Sequence, residues 1–467
     1  MVSPLALRRI RLLLDVEIEL ERLRARSEVL TGFGTIRGRR VAFCVNDPEV
    51  AGGSLSAEGM ERVSKLYELA AEEGVPVIYL ADSVGARIYE GPLSLNGVAK
   101  AYRAMTVASS RVPLLSAVIG ASVGGSAFMV ASSDVIVGNS GAGYIFVSGP
   151  TAVRRFGKMD VCVKELGGVE VLRALGAFDI VRSDEIGCVT ALREALSYLP
   201  QHVGELPPVS ESREAESLEL ERLPSSDDEF DVRSVIRSVV DRGSFLEFGE
   251  EHSKNAVVGL ARVMGRPIGL VANQPAIKSG AIDVEAAVKM ARFVMLCDKN
   301  NLPILTFVDT IGFEPGLEQE HGKLHRHGAK LLHAYATSEV PKVTVLLRRA
   351  YAGGFVSMCS KGLGADHVIA LSESEVMVQE PRLAAELVKR SEIEAASPEM
   401  REEILKAFAE EMRSRYAGGE KLLNLGVVDA VVEPRELRAE IWRALDSLLE
   451  SYAKRLSVSR KRPLFPV

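Results

Sequence analysis

At 467 residues, 47% of them apolar, the chain is too long for one ordinary domain and can fill two sizeable cores. A formal charge of −6 argues against a nucleic-acid partner, because no basic excess is available to neutralise phosphates. Five dispersed cysteines (Cys44, Cys162, Cys188, Cys297 and Cys359), with no CxxC pair, exclude a disulfide framework and fit a reducing, cytoplasmic setting.

The first 27 residues form a segment of their own. Between Ala6 and Arg26, Leu and Ile alternate with Arg and Glu at helical spacing, which predicts a charged surface helix and no signal-peptide core. From 28 to 200, strands and helices alternate. The run Gly32-Phe-Gly34-Thr-Ile-Arg-Gly38 is one residue too long for a dinucleotide loop and reads as a β-hairpin turn. A strand is predicted over 41–45, a helix over 57–73, and a strand over 77–81 entering a turn at Asp82. A helix over 95–109 and a strand over 114–119 follow, the strand passing through Gly124-Gly125 into a further helix. Such alternation implies crossover connections and largely buried sheets. Residues 112–133 carry no charge, yet their glycines and serines, and Lys342, Arg348 and Arg349 in the matching stretch 341–360, argue against a membrane span. Residues 201–230 read as an acidic, proline-bounded linker with little to bury.

The remainder, 231–467, rewrites the first half. A shift of 227 positions places Gly38 on Gly265, Asn46 on Asn273, Gly53 on Gly280, Asp82 on Asp309 and Gly85 on Gly312. A shift of 228 places Pro113 on Pro341 and Gly125 on Gly353. Turn-forming residues recur with apolar runs between them, so the halves share a backbone path and frame a cleft for two ligands that must meet.

Each half carries a Gly-Gly pair after an apolar strand, Gly124-Gly125 and Gly353-Gly354. Side-chain-free residues at a strand-to-helix turn leave amides unshielded, and such amides can form an oxyanion hole in which one donor is worth about 3 kcal/mol. Close helix–sheet packing also favours glycine, but two copies after strands that each begin at Val-Pro favour the holes. Gly120-Ala-Ser122-Val-Gly124 matches a nucleophile elbow. The repeat keeps a Gly-Gly turn but places Ala350 on Ser122, and none of His202, His252 and His327 can be assigned as its base. Glu318, Glu320, His321, His325, His327 and His333 are expected to form a polar helical rim, because the spacing turns His327 away from the other two.

The ordered set Gly52-Gly53-Ser54-Leu55, Asp82-Ser-Val-Gly-Ala-Arg87, Glu165-Leu-Gly-Gly168, Asn255-Ala-Val-Val-Gly259, Ala272-Asn-Gln-Pro275, Phe307-Val-Asp309-Thr-Ile-Gly312-Phe313 and Arg326-His-Gly-Ala-Lys330 resembles the biotin-dependent acyl-CoA carboxyltransferases over nearly all of 28–467. The resemblance implies an α/β fold of two tandem crotonase-type domains, 28–200 and 231–467. It implies a subunit that moves a carboxyl group between biotin on a carrier protein and the α-carbon of propionyl-CoA or acetyl-CoA. Gly124 and Gly125 would serve the acyl-CoA oxyanion, and Gly353 and Gly354 the biotin carbonyl. Gly85, Ala86, Arg87, Ser126, Tyr351, Phe355 and Val356 would bind the acyl-CoA; Gly312, Phe313, Pro315 and Gly316 would lie on the biotin side. No tightly bound metal is implied. With no Met-Lys-Met sequence, the biotin sits on a separate chain, and the implied partners are a biotin carboxyl carrier protein, a biotin carboxylase subunit and further copies in a hexamer. Two alternatives share the motifs: a methylmalonyl-CoA decarboxylase α subunit running the transfer backwards, and a non-catalytic paralogue assembled with an active subunit. Val84 stands where the family usually has glycine; Val356 stands where many members have aspartate near the acyl pocket, and an apolar group there implies an altered acyl-chain preference.

Overall fold

The computed structural model describes residues 2–15, 27–216, 223, 228–456 and 461–464. Helix α1 (Pro4–Leu13) starts at Ser3, whose hydroxyl accepts the Ala6 amide at 3.1 Å. It stops well short of the expected Arg26. Leu14 is extended, the Asp15 amide donates to the Thr35 carbonyl, and the Asp15 carboxylate takes Arg193 at 2.6 Å. Residues 16–26 lie outside the described residues. Nor is α1 a detached surface helix, since Ala6, Ile10 and Leu13 are buried in the core.

Strands β1 (Val29–Ile36) and β2 (Arg39–Asn46) form the expected hairpin. Its two-residue turn puts both Arg37 (φ 50°) and Gly38 (φ 74°) in the left-handed region, which matches the twist of the strands. Helix α2 (Ala57–Glu73) keeps its expected bounds, capped by Ser56 and ended by left-handed Gly74. Strand β3 (Val77–Ser83) leads to α3 (Pro92–Ser109), which begins a turn earlier than expected because Pro92 suits a first helical position. Strand β4 (Leu114–Val123) outruns its expected end, and α4 (Gly125–Ala131) follows. The cause of the extension is β6 (Tyr144–Phe146), which, after β5 (Val135–Asn139), pairs with residues 121–123 of β4. Strand β7 (Ile180–Arg182) and α5 (Glu185–Leu196) complete a sheet ordered β1-β2-β3-β4-β5-β7, parallel beyond the hairpin.

The described part of the linker has no helix or strand but is firmly held. Asn301 Nδ2 donates to the Val203 and Glu205 carbonyls, and the Ser210 amide donates to Gly265. Strands β8 (Leu246–Phe248), β9 (Ala256–Val263) and β10 (Arg266–Asn273) then open the second sheet. The β9–β10 hairpin repeats the first, with Met264 (φ 51°) and Gly265 (φ 78°) at its tip. Helix α6 (Val284–Lys299), capped by Asp283, stands where α2 stands in the first half. Strand β11 (Ile304–Thr310), helix α7 (Leu324–Thr337), β12 (Lys342–Tyr351), helix α8 (Ala352–Ser357), β13 (His367–Leu371), β14 (Glu375–Met377) and β15 (Ala430–Val432) finish the eight-stranded sheet. A continuous apolar core runs through both halves. Two ion pairs pin the junction: Lys299 Nζ lies 2.5 Å from Asp134, both fully buried, and Arg292 lies 2.6 Å from Asp179.

Candidate active site

Both glycine turns sit where a parallel strand's carboxyl end meets a helix, the usual ligand position of an α/β sheet. Gly124 takes φ 56°, ψ −116°, and its register partner Ala352 takes φ 51°, so the second half holds an alanine in a conformation that costs roughly 1–2 kcal/mol. At Gly125 and Gly354 glycine answers a packing demand. A Cβ on Gly125 would lie 2.7 Å from Val98 Cγ1, and one on Gly354 would lie 2.8 Å from Thr310 Cγ2.

The amides are not as the sequence implied. The Gly124 N–H donates to the Phe146 carbonyl at 3.1 Å, continuing the β4–β6 ladder, so it is spent. The Gly125 N–H opens α4 and has no acceptor among the described residues. A second unspent amide lies in the loop after β3. Leu55 bridges this loop by donating to the Gly85 carbonyl and accepting from Arg87, which leaves the Ala86 N–H between them without an acceptor among the described residues. Gly85 abuts the end of β4, where a Cβ would come within 3.0 Å of the Val123 carbonyl oxygen. The second half repeats this arrangement. Ile282 donates to Gly312 and accepts from Glu314, leaving the Phe313 N–H unspent beside exposed Gly353, where a Cβ would touch the Phe313 ring at 3.0 Å. Each half therefore offers unspent amides from two loops, Ala86 with Gly125 and Phe313 with Gly353, and the Gly354 N–H likewise has no acceptor among the described residues. The sequence marked all these residues but assigned the amides to one turn, because β6 is too short to be read in advance.

Several expected contacts do other work. Ser126 is fully buried, bonded to Tyr79 (2.8 Å) and Ser122 (3.0 Å), so its hydroxyl belongs to the core and does not face a ligand. Ser122 is equally buried, in β4, with no histidine partner, which removes the nucleophile elbow. Arg87 spends its guanidinium on Ser54, Glu90 and Glu28, clamping the loop that carries Ala86. Tyr351 is buried and donates to Glu375; burial pushes its hydroxyl pKa upward, and the neighbouring Glu375 charge adds to this. Phe355 is half-buried, Val356 is 44% exposed, and Pro315 and Gly316 lie on an exposed loop. His321 closes the short helix Leu317–His321, while His325, His327 and His333 lie on α7.

The sequence also missed a pair of charged pins. Asp82 accepts the Ala121 amide at 3.0 Å and Arg9 of α1 at 2.8 Å. Its counterpart Asp309 takes Arg348 at 2.6 Å and Arg349 at 3.1 Å, both on β12. Gly120 occupies the register position of Arg348, and a Cβ there would lie 2.4 Å from the Asp82 carboxylate. The first half thus takes from α1 the cation that the second carries on its own strand.

Duplicated α/β halves, each presenting unspent amides where strands end, have the geometry of enzymes that act on carbonyl groups. The family model described as the carboxyl transferase domain matches residues 14–463, and the chain belongs to that family. It is 39% identical over 419 residues to the propionyl-CoA carboxylase carboxyltransferase subunit of Haloferax mediterranei, covering 88% of this chain and 80% of that one. It is 34% identical over 426 residues to the methylmalonyl-CoA decarboxylase α subunit of Propionigenium modestum, covering 90% and 82%. The fold superposes with a TM-score of 0.90, at 35% identity and over 95% of this chain and 89% of the other, on a transcarboxylase 12S hexamer solved with methylmalonyl-CoA and methylmalonic acid bound. The architecture is accordingly two crotonase-type domains, as the sequence implied.

Proposed function

We propose that the chain is a carboxyltransferase subunit that moves a carboxyl group between carrier-borne biotin and the α-carbon of a short acyl-CoA. The observation that carries this reading is the duplicated amide pair. In the first half, Ala86 and Gly125 donate to the thioester oxygen and stabilise the enolate that forms when the α-proton or α-carboxyl group leaves. In the second half, Phe313 and Gly353 are the residues whose amides would hold biotin. The fit to biotin rests on an exposed amide pair beside the Phe313 ring, a neutral and partly apolar surface suited to a small bicyclic urea. Biotin, when bound, supplies the carboxyl group and the base. The protein holds the two reactants together and neutralises charge, and no acidic or basic side chain is required of it.

The same amides serve both directions. Similarity to a decarboxylase α subunit supports a second reading in which the chain removes the carboxyl group from methylmalonyl-CoA, its direction set by its partners. Retention of both amide pairs favours turnover over a non-catalytic scaffold. We place the protein in the cytoplasm, with a biotin carboxyl carrier protein and a biotin carboxylase subunit as partners. Like the transcarboxylase 12S core, it assembles as a hexamer. Exposed Ile88, Tyr89 and Phe156 in the first half, and Val378, Leu387 and Val388 in the second, are the apolar surface that such packing covers. Among the described residues no helix is long and apolar enough to cross a membrane. The test is release of CO2 from methylmalonyl-CoA in the presence of free biotin. Turnover supports the proposal, and its absence with malonyl-CoA and methylmalonyl-CoA alike supports a scaffold.

A further inference from the structure

At the far end of the first sheet from the glycine turns, a cavity of about 440 Å3 opens between the halves. Its volume lies in the range of about 300–1,000 Å3 usual for small-molecule sites. Strand β2 begins at Arg39 and runs parallel to β4, which ends at Val123, so about 30 Å of strand separates this cavity from the first turn. The cavity is therefore distinct from the site described above.

Six arginines line it: Arg37 and Arg39 from the hairpin, Arg193 from α5, Arg213 from the linker, and Arg242 and Arg262 from the second half. The carboxylates in the lining are Glu194, Glu211 and Asp241, with Glu205 acting on Arg39 from outside it; Asp241 is already spent on the Met264 and Gly265 amides and on Arg438. Arg193 is paired with Asp15. Among the described residues Arg262 donates to the backbone carbonyls of Pro208, Gly265 and Ser197 and lies 4.7 Å from the Tyr198 ring centre, which orients the guanidinium without a carboxylate to neutralise it. Arg39 donates to Gln201 and to the Leu196 carbonyl, and its Nη2 is buried with no partner among the described residues. The side chains of Arg37 and Arg242 make no hydrogen bond or ion pair among the described residues. Burial holds the Arg262 guanidinium below its ordinary range, outweighing the attraction of Tyr198 and Asp241, and repulsion from Arg37 adds to the lowering. Arg37 also occupies a left-handed turn position that normally favours Gly, Asn or Asp.

An excess of oriented guanidinium groups around a ligand-sized cavity calls for an anion with several oxygens, and the planar fork of arginine matches phosphate. We propose that this cavity binds a small phosphate-bearing anion of nucleotide size at the junction of the two halves. The inference stands whether or not the chain transfers carboxyl groups.

The full chain is titrated calorimetrically with sodium pyrophosphate and with ADP, against sodium chloride at matched ionic strength. Saturable binding of either probe is expected; tighter binding of ADP identifies a nucleotide, and equal binding an inorganic phosphate. Arg37→Gly suits the turn backbone, so its thermal midpoint without ligand should not fall. Arg37→Gly and Arg242→Ser should each weaken binding about tenfold or more, as expected for a lost charge-assisted contact. The inference is overturned if neither probe saturates, if both variants bind as tightly as the parent, or if pyrophosphate competes with acyl-CoA in turnover.

Discussion

Gly125 combines two demands that substitution can separate. Its missing side chain lets α4 approach Val98, while its amide serves the proposed hole. Gly125→Ala should destabilise the fold by about 1–3 kcal/mol through overpacking, and Val98→Ala in the same chain should recover most of that loss. Chemical denaturation of both variants checks this, and additive effects would place the strain elsewhere. The need for glycine was legible in the sequence because it repeats. Which amides remain unspent was not, because the answer depends on β6, three residues long, taking up the Gly124 N–H. Ser126 was misread for a similar reason: its burial against Tyr79 is a property of the packed sheet and leaves no local trace.

At the scale of elements, hairpins and long helices were readable because their signals are local: Ser56 and Gly74 around α2, and the Arg37-Gly38 tip of the first hairpin. The end of α1 was not, because it is set by the Asp15 amide reaching Thr35 across the fold. The role of α1 emerges only from comparing the halves, where Arg9 stands in for Arg348. Arg9→Ala leaves Asp82 without its cation in a nearly closed setting and should cost about 3–5 kcal/mol. Because Asp82 also anchors the Ala121 amide beside the first turn, acyl-CoA turnover should fall as well. Urea unfolding together with steady-state kinetics measures both; a variant with native stability and turnover would show α1 to be an appendage.

At the scale of the molecule, the halves behave as one body because charges are buried between them. Lys299→Met should cost about 3–5 kcal/mol by stranding Asp134, whereas adding Asp134→Asn should return much of it, a coupling that a double-mutant cycle reads directly. His252 lies at the same junction, its Nδ1 3.2 Å from the Ala174 carbonyl. Burial holds its pKa below the ordinary 6.5, with Lys289 adding to the effect. The unfolded chain therefore takes up this proton more readily than the folded one. The stability contributed by neutral His252 is complete above about pH 6.5 and declines as pH falls from there toward the folded pKa. Thermal unfolding should show that acid limb, and His252→Gln should flatten it.

The central claim is that main-chain amides from paired loops, repeated in the two halves, carry the chemistry. Gly353→Pro removes one of these amides at a position in the first turn of α8, where proline fits a helix. The most direct measurement is CO2 release from methylmalonyl-CoA with free biotin, for the parent and for this variant, alongside their thermal midpoints. The expected result is a loss of roughly 100-fold or more in kcat from a variant that still unfolds cooperatively, its midpoint lowered only by the new ring meeting Phe313. Equal turnover in the two proteins would contradict the account.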